Sequence, residues 1–215
     1  AYARSIEARL LGARGWKPEV DATNREMLTF CLSSGDVPKG FAQKELRTLN
    51  VGQVIREIGA TGLVFAQMGW MDGCRSEFRR VVPRQSLRGL YAVRDLVGRF
   101  QTEADARRWY SKFTATQLTE KFAGSRYRLS RQVRLGRRAS LFSATGSSGR
   151  LFVTSESLFL IAGPFGVFVQ SDGIEGTFSP SIVVAMARTI EARLNSTGGS
   201  GDRRPLPTTS PPDWT

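Results

Sequence analysis

An α+β fold, a mostly antiparallel sheet with helices packed on one face, is what three features of this 215-residue sequence predict. Apolar segments with strand-like patterning come in consecutive runs, which argues against parallel βαβ winding. Two segments carry helical periodicity, one opening at Thr102 and one near Pro180. The composition, 40% hydrophobic and 23% charged, is that of a chain able to bury a core.

Each element follows from local spacing. Ile6, Leu10 and Leu11 precede Gly12 and Gly15 and predict a short N-terminal helix. The apolar run from Met27 to Leu32, closed by Ser33-Ser34-Gly35-Asp36, predicts a buried strand ending in a turn. Residues 1–35 thus form a helix and first strand that share one core with residues 36–196. Residues 42–49 read as a further strand. Val54, Ile55, Ile58, Leu63, Val64, Phe65 and Met68 suit a helix over 51–68, bent at Gly59 or Gly62. Trp70-Met71-Asp72-Gly73 predicts a turn, and residues 75–82 and 89–100 predict strands, the second with Tyr91, Val93, Asp95 and Val97 on one face.

Thr102 has the hydroxyl of a helix N-cap, and Glu103 and Asp105 follow where the helix dipole favours anions. Ala106, Trp109, Tyr110, Phe113 and Leu118 carry that helix to about Phe122. Residues 126–144 and 150–163 predict two strands joined by Gly146-Ser147-Ser148-Gly149, with a third at Val167-Phe168-Val169. Ser179 and Pro180 suit the N-cap and first position of a last helix, with Ile182, Val183, Ala185, Met186, Ile190 and Leu194 on one stripe. Residues 197–215 form a Gly/Pro-rich tail without core-forming pattern. The expected core includes Phe30, Ile55, Phe78, Val93, Trp109, Phe113, Phe159, Ile161, Val169 and Met186.

Composition narrows the chemistry. The sequence holds no histidine, which removes the Ser-His-Asp triad, the Cys-His dyad and every His-ligated metal site. Two cysteines alone build neither a zinc nor an iron–sulfur site, and no P-loop or G-x-G-x-x-G stands in the chain. No cofactor is expected. Cys31 and Cys74 admit three readings: buried thiols, a disulfide, or a reactive pair. A bond between them would stabilise by about 4 kcal/mol in the chain-entropy model. The chain begins at Ala1 rather than Met, which fits a fragment or a removed leader equally.

Charge is the most pronounced feature. Thirty-one Lys and Arg against nineteen Asp and Glu give +12. Arginine outnumbers lysine 26 to 5, which fits either a GC-rich genome or selection for phosphate or carboxylate contacts. Residues 121–155 contain Lys121 and seven arginines but no acidic residue, a net +8. In strand geometry Arg126, Arg128, Arg134 and Arg138 share one parity and would project from one face, while Tyr127, Leu129, Val133 and Leu135 take the other. Such a strip is either the solvated face of a half-buried strand or a contact for a polyanion or protein partner. No helix-turn-helix, RNP motif or zinc finger accompanies it, which argues against sequence-specific nucleic-acid reading. Scattered carboxylates such as Asp36, Asp72, Glu77 and Asp95 have no spacing that selects a catalytic pair. In the tail, Leu206 and Trp214 are the apolar anchors of an extended arm suited to subunit or partner contact.

Three short motifs carry a resemblance: Asp36-Val37-Pro38-Lys39-Gly40-Phe41, then Gly69-Trp70-Met71-Asp72-Gly73 leading into Glu77-Phe78, then Phe100 with Glu103-Ala104-Asp105-Ala106. Over residues 36–195 the chain resembles exported bacterial α+β envelope and lipoprotein-like domains. The resemblance implies an extracytoplasmic domain without a known active site. It carries over no disulfide, because Cys74 stands where such domains favour an aromatic residue.

The expectation is a non-enzymatic secreted or envelope-associated protein that acts through protein binding or self-association. A polyanion- or anionic-membrane-surface-binding module is the second reading. A hydrolase using carboxylates alone is the third.

Overall fold

Unbroken burial along residues 155–162, and buried residues of both parities along residues 90–100, mark strands covered on both sides of one sheet. The computed structural model describes residues 23–58, 60–81, 89–148, 151–174 and 181–197. In chain order they form α1 (Thr23–Leu28), β1 (Phe41–Asn50), α2 (Val51–Ile58), α3 (Ala60–Gln67), β2 (Trp70–Arg80), β3 (Leu90–Phe100) and α4 (Glu103–Gln117). Then come β4 (Lys121–Phe122), β5 (Ser125–Arg126), β6 (Arg128–Val133), β7 (Arg138–Ser148), β8 (Leu151–Ala162), β9 (Phe165–Ile174) and α5 (Ser181–Thr197). Seven strands build an antiparallel sheet in the order β1-β2-β3-β9-β8-β7-β6, and β4 and β5 pair as a separate ribbon. This is the expected α+β class.

The helices, expected on one face, lie on both. On β8, Leu158, Leu160 and Ala162 join a core with Met27 after α1 begins and with Val183, Met186, Ile190 and Leu194 of α5. The alternate residues Phe159 and Ile161 join a second core with Val54 of α2, Phe65 of α3, and Trp109 and Tyr110 of α4. A strand apolar at both parities must be covered twice, since neighbouring side chains point to opposite faces.

The α4 side is floored by a row of glycines. Gly73, Gly98 and Gly166 are direct neighbours across β2, β3 and β9. A Cβ at Gly98 would lie 2.0 Å from the Trp70 ring, and one at Gly166 would lie 2.6 Å from the Trp109 ring. The missing side chains let both indoles lie against the sheet backbone. Phe65, Phe100, Phe113 and Phe159 complete the aromatic layer around them.

Several elements differ from expectation. The run from Met27 to Leu32 is the end of α1 and a turn, not a strand, with Thr29 N and Phe30 N bonded to Glu26 O and Met27 O. A short apolar run suits a buried strand or a buried helix end equally. The turn expected at 70–73 is the start of β2, because Gly69, at φ +81°, already reverses the chain after α3. The strand expected over 126–144 is β5 followed by a β6–β7 hairpin, which turns at Gly136 with φ +53°. The helix expected over 51–68 is two, α2 and α3, packed so closely that a Cβ at Gly62 would lie 2.1 Å from Val54 O. The helix from Thr102 stops at Gln117. Of the expected core, Ile55 and Phe113 are half-buried and the other eight are buried. The helix expected before Gly12, the Ser179-Pro180 cap and the tail from residue 198 lie outside the described residues.

Cys31 and Cys74 are joined in a disulfide with Cα atoms 6.0 Å apart, both sulfurs inside the α5-side core. The bond ties the segment after α1 to β2. Arg193 of α5 fastens the same segment, donating to Cys31 O at 2.8 Å and to Asp36 Oδ1 at 2.7 Å.

Candidate functional site

The edge formed by β6, β7 and the β4–β5 ribbon concentrates the basic segment read from the sequence. Arg126, Arg128, Arg134 and Arg138 are all exposed, yet they do not share one strand face. Arg126 belongs to β5. Arg128 pairs with Ser143, whose parity is that of Leu141 on the α5 side, whereas Arg138 pairs with Ile161 on the α4 side. Arg134 lies in the turn after β6. A register shift between Leu129 and Arg131 and the hidden hairpin turn break the parity that a single strand would keep. The four arginines therefore wrap the edge of the sheet.

Where the edge meets α4, a hollow of about 470 Å³ is lined by Arg107, Tyr110, Arg137, Arg138 and Ile161. Its parts are held from below. The Tyr110 hydroxyl is hydrogen-bonded to Ser140 Oγ, which donates to Gln132 Oε1 at 3.0 Å. The fixed Tyr110 ring carries the Arg138 guanidinium, 5.3 Å from its centroid. Glu103, in the first turn of α4, accepts from Arg107 Nε at 3.1 Å, and the same oxygen forms an ion pair with Arg137 Nη1 at 2.9 Å. A second hollow of about 410 Å³ adjoins it, lined by Val133, Arg134, Leu135, Gly136, Arg137, Arg138 and Glu191.

Sequence reading does not single out Arg107, and Arg137 enters it only as one of the seven arginines of the basic segment. Tyr110 read as core on an amphipathic helix, which its buried ring also is. The i,i+4 spacing of Glu103 and Arg107 was visible, but nothing in sequence joins position 107 to positions 137 and 138.

Elsewhere on the α4-side face the charges balance. Burial raises the Glu77 carboxyl, but the hydrogen bond from Arg79 at 2.6 Å and the charges of Arg94 and Arg75 bring it below its ordinary value. Arg94 donates to Asp172 Oδ2 at 3.2 Å, and Gln170 joins Asp172 to Ser155 at 3.0 Å each. Tyr127 donates to the same Ser155 hydroxyl at 2.7 Å. Glu45 completes the row beside Arg47 and Arg75. Each carboxylate there has a guanidinium, so this seam ties strands together rather than presenting net charge.

Two carboxyls sit on the α5 side without such partners. Asp95 is pushed up to about 8, by burial first, despite hydrogen bonds from Ser76 Oγ and, at 3.4 Å, Leu32 N. Glu156 is pushed up to about 7 by burial, with Arg131 opposing. Asp95 faces Val169 of β9, and Glu156 faces Ser171 of the same strand. Strands about 4.8 Å apart and about 3.4 Å per residue put the two positions about 12 Å from each other. Among the described residues no cluster of His, Cys, Asp or Glu could hold a metal ion, and no helix is long and apolar enough to cross a membrane. The tail anchors Leu206 and Trp214 lie outside the described residues.

No protein-family model matches the chain, and no curated protein matches it. Among solved structures it is similar to the extracellular domain of PknH from Mycobacterium tuberculosis, with a TM-score of 0.58 and 13% identity over 80% of this chain and 96% of that one. The expected likeness to an exported bacterial domain is thus met as a likeness of fold.

Proposed function

We propose that this chain is an extracytoplasmic domain that acts by binding, without a catalytic step, and that its working surface is the basic edge formed by α4, β6 and β7. One observation carries the reading. Seven arginines and Lys121 stand in a stretch without an acidic residue, and at the α4 junction a single carboxylate, Glu103, serves two of the guanidiniums. A surface of uncompensated positive charge attracts acidic partners and raises their encounter rate. The partner face is therefore anionic, as on an acidic protein or a polyanionic envelope polymer.

Export is supported by the Cys31–Cys74 bond, since such bonds persist in oxidising compartments. The likeness in fold to an extracellular domain fits the same compartment. The lack of histidine, which removes the commonest general acid–base group, fits the binding role.

Replacing Arg126, Arg128 and Arg134 together by serine removes exposed charge without touching the core. Heparin affinity should fall sharply, while replacing the exposed Lys39, Lys44, Arg56 and Arg80 on the far side of the sheet should change it little. Equal loss in both variants would reduce the attraction to net charge alone and overturn the reading.

A further inference from the structure

We propose that the hollow between α4 and the β6–β7 turn is a binding site for an organic phosphate monoester. The inference rests on the binding role of the basic edge and names the chemistry of the hollow at its junction with α4.

Charge selects the ligand class. Arg107, Arg137 and Arg138 line the hollow, and Glu103 at its rim offsets one of them, leaving a local charge near +2. A phosphate monoester carries about −1.5 to −2 at pH 7, whereas a carboxylate carries half of that. Guanidinium forks match phosphate oxygens in pairs, which the point charge of a lysine does not.

Preorganisation supports the same assignment. Arg107 and Arg137 are aimed by one shared carboxylate, and Arg138 is held over a Tyr110 ring that Ser140 and Gln132 fix. Donors fixed before the ligand arrives lose less freedom on binding. The hollow, about 470 Å³, is larger than a bare phosphate needs. The spare volume leaves room for the carbon skeleton that the phosphate esterifies, above a floor closed by the buried Tyr110 and Ile161.

The test uses the full chain and follows the arginine Nε–H resonances during titration. The probes are glycerol 3-phosphate, glycerol, and phosphatidylcholine vesicles with or without phosphatidic acid. Glycerol 3-phosphate should shift Arg107, Arg137 and Arg138, and glycerol should not. Arg138→Gln and Arg137→Gln should each weaken binding by about tenfold, the effect of one lost charge-assisted contact. Binding of the soluble ester identifies a free ligand, and binding of phosphatidic acid vesicles alone identifies a lipid headgroup carrying the same chemistry. Absence of binding to both, or binding undiminished in the variant that combines Arg137→Gln with Arg138→Gln, overturns the proposal. The serine triple variant at Arg126, Arg128 and Arg134 should bind the ester as the parent does. Loss of heparin affinity there and loss of ester binding in the glutamine variants therefore fail independently.

Discussion

Asp95 and Gly98, three residues apart on β3, illustrate how burial fixes single residues in this fold. The Asp95 carboxyl lies beneath the segment held by the disulfide, with Asp36 and Arg193 as its nearest charges, and is pushed up to about 8. Its unfolded value is near the ordinary carboxylate value, about 3.9. Between those values the folded state holds a proton that the unfolded state has released. Stability therefore falls as pH rises from about 4 to 8, by up to about 1.4 kcal/mol per unit, and levels off above. Asp95→Asn keeps the shape and can still bond Ser76, so denaturant titrations of this variant should show a flatter pH profile and greater stability at pH 8. A profile parallel to the parent's would mean that Asp95 is ionised in the fold. Gly98 tests packing instead: a methyl group there would enter the Trp70 ring. Gly98→Ala should destabilise by about 1–3 kcal/mol, read as a drop in denaturation midpoint. An unchanged midpoint would refute the close approach of indole and strand. Alternation along β3 placed Asp95 beside Val93 and Val97, so its inward face was legible. Gly98 read only as a gap in the pattern, because an absent side chain does not announce which ring fills its place.

At the scale of elements, α4 was the most legible. Thr102 Oγ1 accepts from Asp105 N at 3.1 Å, and the Thr102 hydroxyl, with Arg108 beside it, holds the Asp105 carboxyl below its ordinary value. Thr102→Ala should cost about 1 kcal/mol, the usual loss for an N-cap, and lower the melting temperature by a few degrees. No loss would show that Asp105 alone caps the helix. The β6–β7 hairpin was not legible, since its turn contains no Asn-Gly or Asp-Gly pair and its alternation continues through the turn. Reading it as one strand gave the right charges and the wrong geometry. That error moved Arg138 from beside Tyr110 to a strip with Arg128, on what is the opposite face. The apolar residues of α1 gave no periodicity long enough to separate helix end from strand.

Across the whole molecule, one sheet separates two cores, and the charges divide by whether they are compensated. The α4-side seam from Glu45 to Asp172 is paired, while among the described residues of the β6–β7 edge only Arg137 has a carboxylate, that of Glu103. Length, composition and strand grouping made the α+β class legible. The double coverage was also written in β8, where both parities are apolar. The most direct test of a basic edge that binds acidic partners is heparin affinity measured across a salt series, for the parent and for the Arg126, Arg128 and Arg134 serine variant. Each arginine in contact releases counterions, so the log–log slope should become shallower by roughly two to three in the variant. Parallel slopes and equal affinities would contradict the assignment of this edge as the binding surface.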